Sequence, residues 1–285
     1  MLNKLLLADA GTGHVEEALQ YLLELPALKD TTVTVLHVVS AQTTTAQMAE
    51  QWEQGGRLLA EVLQRLELDP QHASTVLRQG DPKDTIPQVA EEVDADLIVM
   101  GSRGLKRLEA ILANSVSQYV FQLTNRSLLL VKDDIYVRRF KRLMVALDGS
   151  QAAQYCLDLA LFLMREHSAL QLDLVHVDPN LDKEAPPQSP ETAEQDPVLA
   201  PAARQAQSQG VAHRCIATGG APAETLCNLA QQNRADLLLL GSPERRPSVA
   251  KSLPDLDRLL GTSISDYVRV NATCPVLLGR MPSST

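Results

Sequence analysis

Aromatic side chains are almost absent: one Trp, five Tyr and three Phe make up 3% of 285 residues. A core without them has to be built from Leu, Val, Ile and Ala. A stacking platform for single-stranded nucleic acid, which uses aromatic faces, is not expected. Positive charge is not in excess either. Lys and Arg number 26 against 35 Asp and Glu, a formal net charge of −9, and neither half of the chain is basic. Duplex nucleic acid and an anionic membrane surface are therefore not expected partners. Cysteine is scarce. Cys156, Cys215, Cys227 and Cys274 all lie in the second half and form no CxxC pair, which speaks against a disulfide framework and against a zinc site. No uncharged apolar run approaches the roughly 18 residues of a membrane span. The start, Met1-Leu2-Asn3-Lys4 and a short apolar stretch, turns acidic too soon to read as a signal peptide. A reduced, cytoplasmic protein is expected, without a bound metal.

What is present is a repeat. One domain per roughly 150 residues already suggests two, and the chain repeats itself. Gly80-Asp81-Pro82-Lys83-Asp84-Thr85-Ile86 lies 140 residues before Gly220-Ala221-Pro222-Ala223-Glu224-Thr225-Leu226. At the same offset Ala95-Asp96-Leu97-Ile98-Val99-Met100-Gly101-Ser102 matches Ala235-Asp236-Leu237-Leu238-Leu239-Leu240-Gly241-Ser242. Asn114-Ser115-Val116-Ser117-Gln118-Tyr119-Val120 matches Thr262-Ser263-Ile264-Ser265-Asp266-Tyr267-Val268 at offset 148, so copy two carries an eight-residue insertion between these motifs. The chain is a tandem duplication, divided here as 1–136 and 137–285.

Each copy alternates short apolar runs with helical patterns. Copy one predicts strands at 3–9, 31–39, 73–79, 96–100 and 127–131, with helices at 14–25, 42–67, 83–93 and 113–123. Copy two predicts strands at 141–147, 169–177, 211–217, 236–240 and 274–278. Leu97-Ile98-Val99-Met100 is apolar on both faces, as in a strand buried inside a parallel sheet. Such alternation implies two tandem doubly wound α/β domains, each a five-stranded, mainly parallel sheet with helices on both faces. The charged stretch 133–141 joins the copies. Residues 178–201, rich in Pro, Glu, Gln and Asp, read as a mobile loop that replaces the first part of copy one's long helix.

Ligands of open parallel sheets bind outside the carboxyl ends of the strands. There, in copy one, Met100-Gly101-Ser102-Arg103-Gly104 follows the fourth strand and Asn114-Ser115-Val116-Ser117 opens a helix. Glycines allow close approach of a phosphate, and a helix start offers unpaired N–H groups. Ser115 and Ser117 add hydroxyls, and Arg103, Lys106 and Arg107 add positive charge. The residues by themselves leave two readings open: a phosphate cradle, or an ordinary turn, helix cap and solvated basic loop.

These residues resemble the universal stress protein family. Its nucleotide-binding members carry Gly-x2-Gly-x9-Gly-Ser/Thr, and copy one reads Gly101-x2-Gly104-x9-Asn114-Ser115, with Asn in place of the third Gly. Copy two has the family's opening, Val145-Ala146-Leu147-Asp148-Gly149-Ser150, and its closing Cys274-Pro275-Val276-Leu277. The resemblance covers nearly the whole chain. It implies a Rossmann-like fold and a stress-response protein that binds ATP or a related adenine nucleotide, with Mg2+ only as the counter-ion of the nucleotide. It further implies an intramolecular pseudo-dimer, leaving open a protein partner and a further homodimer. In copy one it assigns nucleotide binding to Asp9, Val38, Gly101, Arg103, Gly104, Asn114, Ser115 and Ser117. The strand-one acid is displaced, since Ala10 stands at the family's Asp position and Asp9 one residue earlier, which reverses a strand side chain. The equivalents in copy two are Asp148, Val177, Gly241, Thr262, Ser263 and Ser265, but Glu244 replaces the loop glycine and a carboxylate there repels phosphate. Copy one keeps the phosphate half and copy two the adenine half. Domain 1 is the expected binder, as a non-catalytic sensor or regulator. The alternative is a nucleotide-free scaffold acting through protein contacts.

The remaining features are read as structural. Gly11-Thr12-Gly13-His14-Val15-Glu16 lacks the third glycine of a dinucleotide fingerprint, and no GxxxxGK[ST] or GxSxG occurs. His37 and His176, at matching places in the second strands, are expected to be hydrogen-bonded packing residues. Cys215 and Cys227 are expected to pack. The stretch 242–258, with Arg245, Arg246, Lys251 and Arg258, reads as a solvated charge run, with a lid or docking loop as the other reading. Because both copies share one strand order, 1–136 and 137–285 produced separately should each give the circular dichroism of an α/β domain. A disordered 1–136 would refute the division.

Overall fold

The computed structural model describes residues 1–8, 14–40, 44–102, 116–181, 188–242 and 263–281. Copy one runs β1 (Lys4–Ala8), α1 (His14–Leu23), β2 (Thr32–Val39), α2 (Thr45–Leu66), β3 (Ala73–Gln79), α3 (Pro82–Glu92), β4 (Leu97–Ser102), α4 (Val116–Leu123) and β5 (Ser127–Lys132). Copy two runs β6 (Arg142–Ala146), α5 (Gln151–Leu163), β7 (Gln171–Asp178), α6 (Pro190–Ala193), α7 (Leu199–Ser208), β8 (His213–Gly219), α8 (Pro222–Gln232), β9 (Leu237–Gly241), α9 (Ile264–Asn271) and β10 (Val276–Gly279). All ten predicted strands are present, and their ends differ from the predicted ones by a residue or two.

The ten strands form one sheet in the order β3-β2-β1-β4-β5-β10-β9-β6-β7-β8. Every pairing inside a copy is parallel. Side chains alternate across a strand, so Leu5 and Leu7 enter one core and Leu6 the other. The first core is closed by α1 and α2 of copy one and by α5 and α7 of copy two, through Leu19, Val62, Leu157 and Ala206. The second is closed by α3, α4, α8 and α9, through Val89, Val120, Leu226 and Val268. Both cores run across the boundary between the copies. The repeated Ala-Asp motif explains itself here. Asp96 accepts the backbone N–H groups of Asn3 and Lys4, and Asp236 those of Lys141 and Arg142, which locks the start of each first strand to its fourth.

The copies join where β5 meets β10 in antiparallel register, Leu129 opposite Leu277 and Leu130 opposite Val276. Leu129 and Leu277 are equivalent residues, 148 apart. A residue facing its own equivalent marks a two-fold axis, the geometry of an isologous dimer. Two buried cations reinforce the joint. Lys132 Nζ donates to the carbonyl of Val270 at the end of α9 at 3.0 Å, and its counterpart Arg280 donates to the carbonyl of Thr124 just after α4. Each half thus caps the last helix of the other, where carbonyls lack partners and the helix dipole favours a cation. The joining stretch 133–141, read as a charged connector, is also anchored, because Ile135, Val137 and Phe140 are buried in the first core.

One expectation needs correction. The stretch 178–201 is not simply a loop: α6 and the start of α7 lie within it, and 182–187 fall outside the described residues. Ser189 caps α6 by accepting the Thr192 N–H, with Pro190 in its first turn. Ala193 and Leu199 are fully buried, and burial outweighs the polar composition. Asp196 accepts the N–H groups of Val198 and Leu199 and pairs with His176 Nδ1 at 3.0 Å. Burial pushes the Asp196 carboxyl up, but the His176 and backbone bonds outweigh it and hold it below the usual range. His176 is the hydrogen-bonded packing residue expected.

Close packing on copy two depends on glycine. Gly241 and Gly279 are register partners on β9 and β10, and α5 lies directly over them. A Cβ on Gly279 would sit 2.3 Å from the Cys156 Sγ. Gly279→Ala should cost about 1–3 kcal/mol, the usual penalty of overpacking, measured by urea unfolding. Adding Cys156→Ala removes the obstructing sulfur, so the double variant should be less destabilised than the sum of the single ones.

Candidate functional site

Strand order reverses between β1 and β4: the chain leaves β1 for β2 and β3 on one side, then crosses to β4 and β5 on the other. The same holds for β6 and β9. At such a point the connections diverge and leave a crevice beyond the carboxyl ends. In copy one Ala8, the last residue of β1, pairs with Leu36 and Met100. Val38 and Gly101 lie just past these partners, so both stand at the mouth of the crevice. Val38 is half-buried against the second core. Asp9, Arg103, Gly104, Asn114 and Ser115 lie outside the described residues, as do Thr262 and Glu244. Ser117, in the first turn of α4, is 3% exposed, and its equivalent Ser265 in α9 is 5% exposed. Neither hydroxyl faces solvent.

Copy two shows more of the crevice. Asp148 is exposed just past β6, and its Oδ1 accepts the Ser150 N–H at 2.9 Å. Between them Gly149 takes φ +79°, a left-handed conformation suited to glycine. Ser150 Oγ then accepts the Ala153 N–H and caps α5. Val177 is buried at the end of β7, opposite Thr218. Gly241 has a packing reason of its own, since a Cβ there would lie 2.6 Å from the backbone of Ala152 and Ala153. The glycine that closes strand four therefore admits the start of α5 to the strand ends, whether or not a phosphate approaches. Ser263 opens α9: its Oγ accepts the Asp266 N–H at 3.1 Å and donates to Asp266 Oδ2 at 2.9 Å. Arg269 Nε donates to the other oxygen, Oδ1, at 3.0 Å.

Two residues of this crevice were not singled out from the sequence. Ser242 follows Gly241, is 3% exposed, and its Oγ has no hydrogen-bond partner among the described residues. A buried hydroxyl without a partner is costly, so it is a candidate ligand contact. The repeated Gly-Ser pair at 101–102 and 241–242 was the available signal. Asp266 was visible as the one acid in an otherwise matching helix start.

Among the described residues no group of three or more His, Cys, Asp or Glu could hold a metal ion, and no helix is long and apolar enough to cross a membrane. All four cysteines are free and buried. His37 lies against Gly55 of α2.

A family model described as the universal stress protein family matches this chain twice, over residues 1–132 and 139–280. A universal stress protein from Bacillus subtilis is 28% identical over 148 residues, covering 46% of this chain and 100% of that relative. A universal stress protein from Synechocystis is 33% identical over 85 residues, covering 30% of this chain and 55%, little more than half, of that relative. The solved structure of a universal stress protein from Archaeoglobus fulgidus has the same fold, with a TM-score of 0.76, 22% identity, and coverage of 99% of this chain and 98% of that one.

The cysteines give a direct test of whether thiol chemistry is on offer. Burial pushes the thiols of Cys156 and Cys274 up to about 12 and those of Cys215 and Cys227 up to about 11. Only the thiolate reacts. An aromatic disulfide reagent at about pH 8, below the unperturbed thiol value, should therefore label no cysteine of the native chain within minutes. In denaturant it should label all four.

Proposed function

The chain belongs to the universal stress protein family, and from that premise we propose that it binds an adenine nucleotide, ATP foremost, at the strand carboxyl ends of copy one. The observation that carries the reading is the convergence of Ala8, Val38 and Gly101 at the point where strand order reverses. Open parallel sheets place ligands there. The adjoining loop sequence, with Gly104 and three basic residues, favours an anion in copy one, whereas copy two has Glu244 at the matching position. The role proposed is a non-catalytic sensor or regulator of the stress response in the cytoplasm, with Mg2+ accompanying the nucleotide only as its counter-ion. The burial of all four thiols supports the non-catalytic reading.

Isothermal titration of the full chain with ATP tests the reading. Gly104→Val should abolish binding by bulk. Ser115→Ala removes one hydroxyl donor, worth about 1.5–3 kcal/mol against a charged group, so it should weaken binding roughly ten- to a hundred-fold. Asn114→Gly should preserve or improve affinity, because it restores the family's residue. If the wild type binds no ATP at millimolar concentration and Asn114→Gly does not restore it, the chain is a nucleotide-free scaffold.

A further inference from the structure

The two copies open their last helices on a similar sequence but with different charge. Copy one reads Ser115-Val116-Ser117-Gln118 and copy two Ser263-Ile264-Ser265-Asp266. Ser followed three residues later by Glu or Gln is the sequence signature of a capping box, which Ser115 and Gln118 fit, whereas copy two has Asp at that place. At the third position after the serine the two sequences differ in charge, Gln118 against Asp266. In copy two the Ser263 hydroxyl accepts the Asp266 N–H and spends its proton on Asp266 Oδ2. A serine has one such proton, so none is left for a phosphate. The carboxylate oxygen also stands where the positive end of the α9 dipole would draw an anion. Arg269 offsets part of this charge, but it holds Oδ1, from further along α9, and leaves Oδ2 turned to the helix start. Gln118, at the matching position of copy one, carries no charge.

We infer that Asp266, together with Glu244 of the preceding loop, closes copy two to phosphate: the Asp266 carboxylate stands at the helix start, where a phosphate would otherwise be drawn. Copy two then admits only a phosphate-free nucleoside, with the buried Ser242 hydroxyl available to it, and the duplicated chain binds one nucleotide rather than two. This rests on the nucleotide reading of copy one, and it adds Asp266 to Glu244 as a second acid that sets the copies apart.

The test uses the full chain with copy one disabled by Gly104→Val, titrated with ATP and with adenosine, each protein first checked by circular dichroism and thermal melting. Adding Asp266→Gln should raise ATP affinity at least tenfold, the change expected for a donor gained and a charge removed. Adenosine affinity should not change. Unchanged ATP affinity would overturn the inference, and so would an equal gain for adenosine, because the effect would then not act through phosphate. Failure of the nucleotide reading looks different: the unsubstituted chain binds no ATP, whatever Asp266→Gln does. Asp266→Asn, closer in shape, should reproduce the gain. If Asp266→Gln gains ATP affinity and Asp266→Asn does not, shape rather than charge is responsible and the inference falls.

Discussion

The antiparallel pairing of β5 with β10 is the contact on which the remaining architecture depends. A parallel five-stranded sheet ends in an unpaired strand, which exposes a row of N–H and C=O groups. Here each copy supplies the missing partner for the other, centred on Leu129 and Leu277. From that register follow the shared cores on both faces of the sheet. So does the exchange of caps, in which Lys132 reaches the end of α9 and Arg280 the region just after α4. Lys132 carries a cost, because burial pulls its ammonium pKa down. The carbonyl of Val270 and the carboxylate of Asp134, 3.9 Å away, offset it.

Much of this could be read in the sequence, for a physical reason. Strands buried on both faces must be apolar throughout, and Leu97-Ile98-Val99-Met100 and Leu237-Leu238-Leu239-Leu240 announced themselves in that way. The repeat offsets then placed the strands of the second copy. What escaped was whatever depends on contacts between distant segments. The stretch 178–201 has the composition of a loop, yet Ala193 and Leu199 find a core to fill, with Ala202 and Ala206 of α7 beside them. Its Ser189-Pro190 start was a legible helix signal that the surrounding polar residues obscured. The pairing of the two copies has no signature within either copy, since the pattern of β5 is that of any buried strand.

The candidate site was legible in type and less so in detail. Glycine at the end of strand four was read as room for phosphate, but Gly241 must be small in any case because α5 rests on it. A single glycine can answer two demands, and sequence cannot apportion them. Ser117 and Ser265 were read as ligand donors from their place at a helix start, yet the first turn buries them. Asp266, by contrast, stood in plain sight as a change of charge in a repeated motif.

The anchored segment between the copies has a consequence for how the assembly behaves. With Ile135, Val137 and Phe140 embedded in the first core, the two halves are held together covalently and by packing at once. A pair of separate subunits joined by the same strands would come apart on dilution, and its melting temperature would depend on protein concentration. In this chain the partner is always present at a fixed effective concentration. Equivalent positions are also no longer bound to carry the same residue. Val131 and Gly279, or Lys132 and Arg280, can differ because each side of the axis is encoded by its own stretch of the chain.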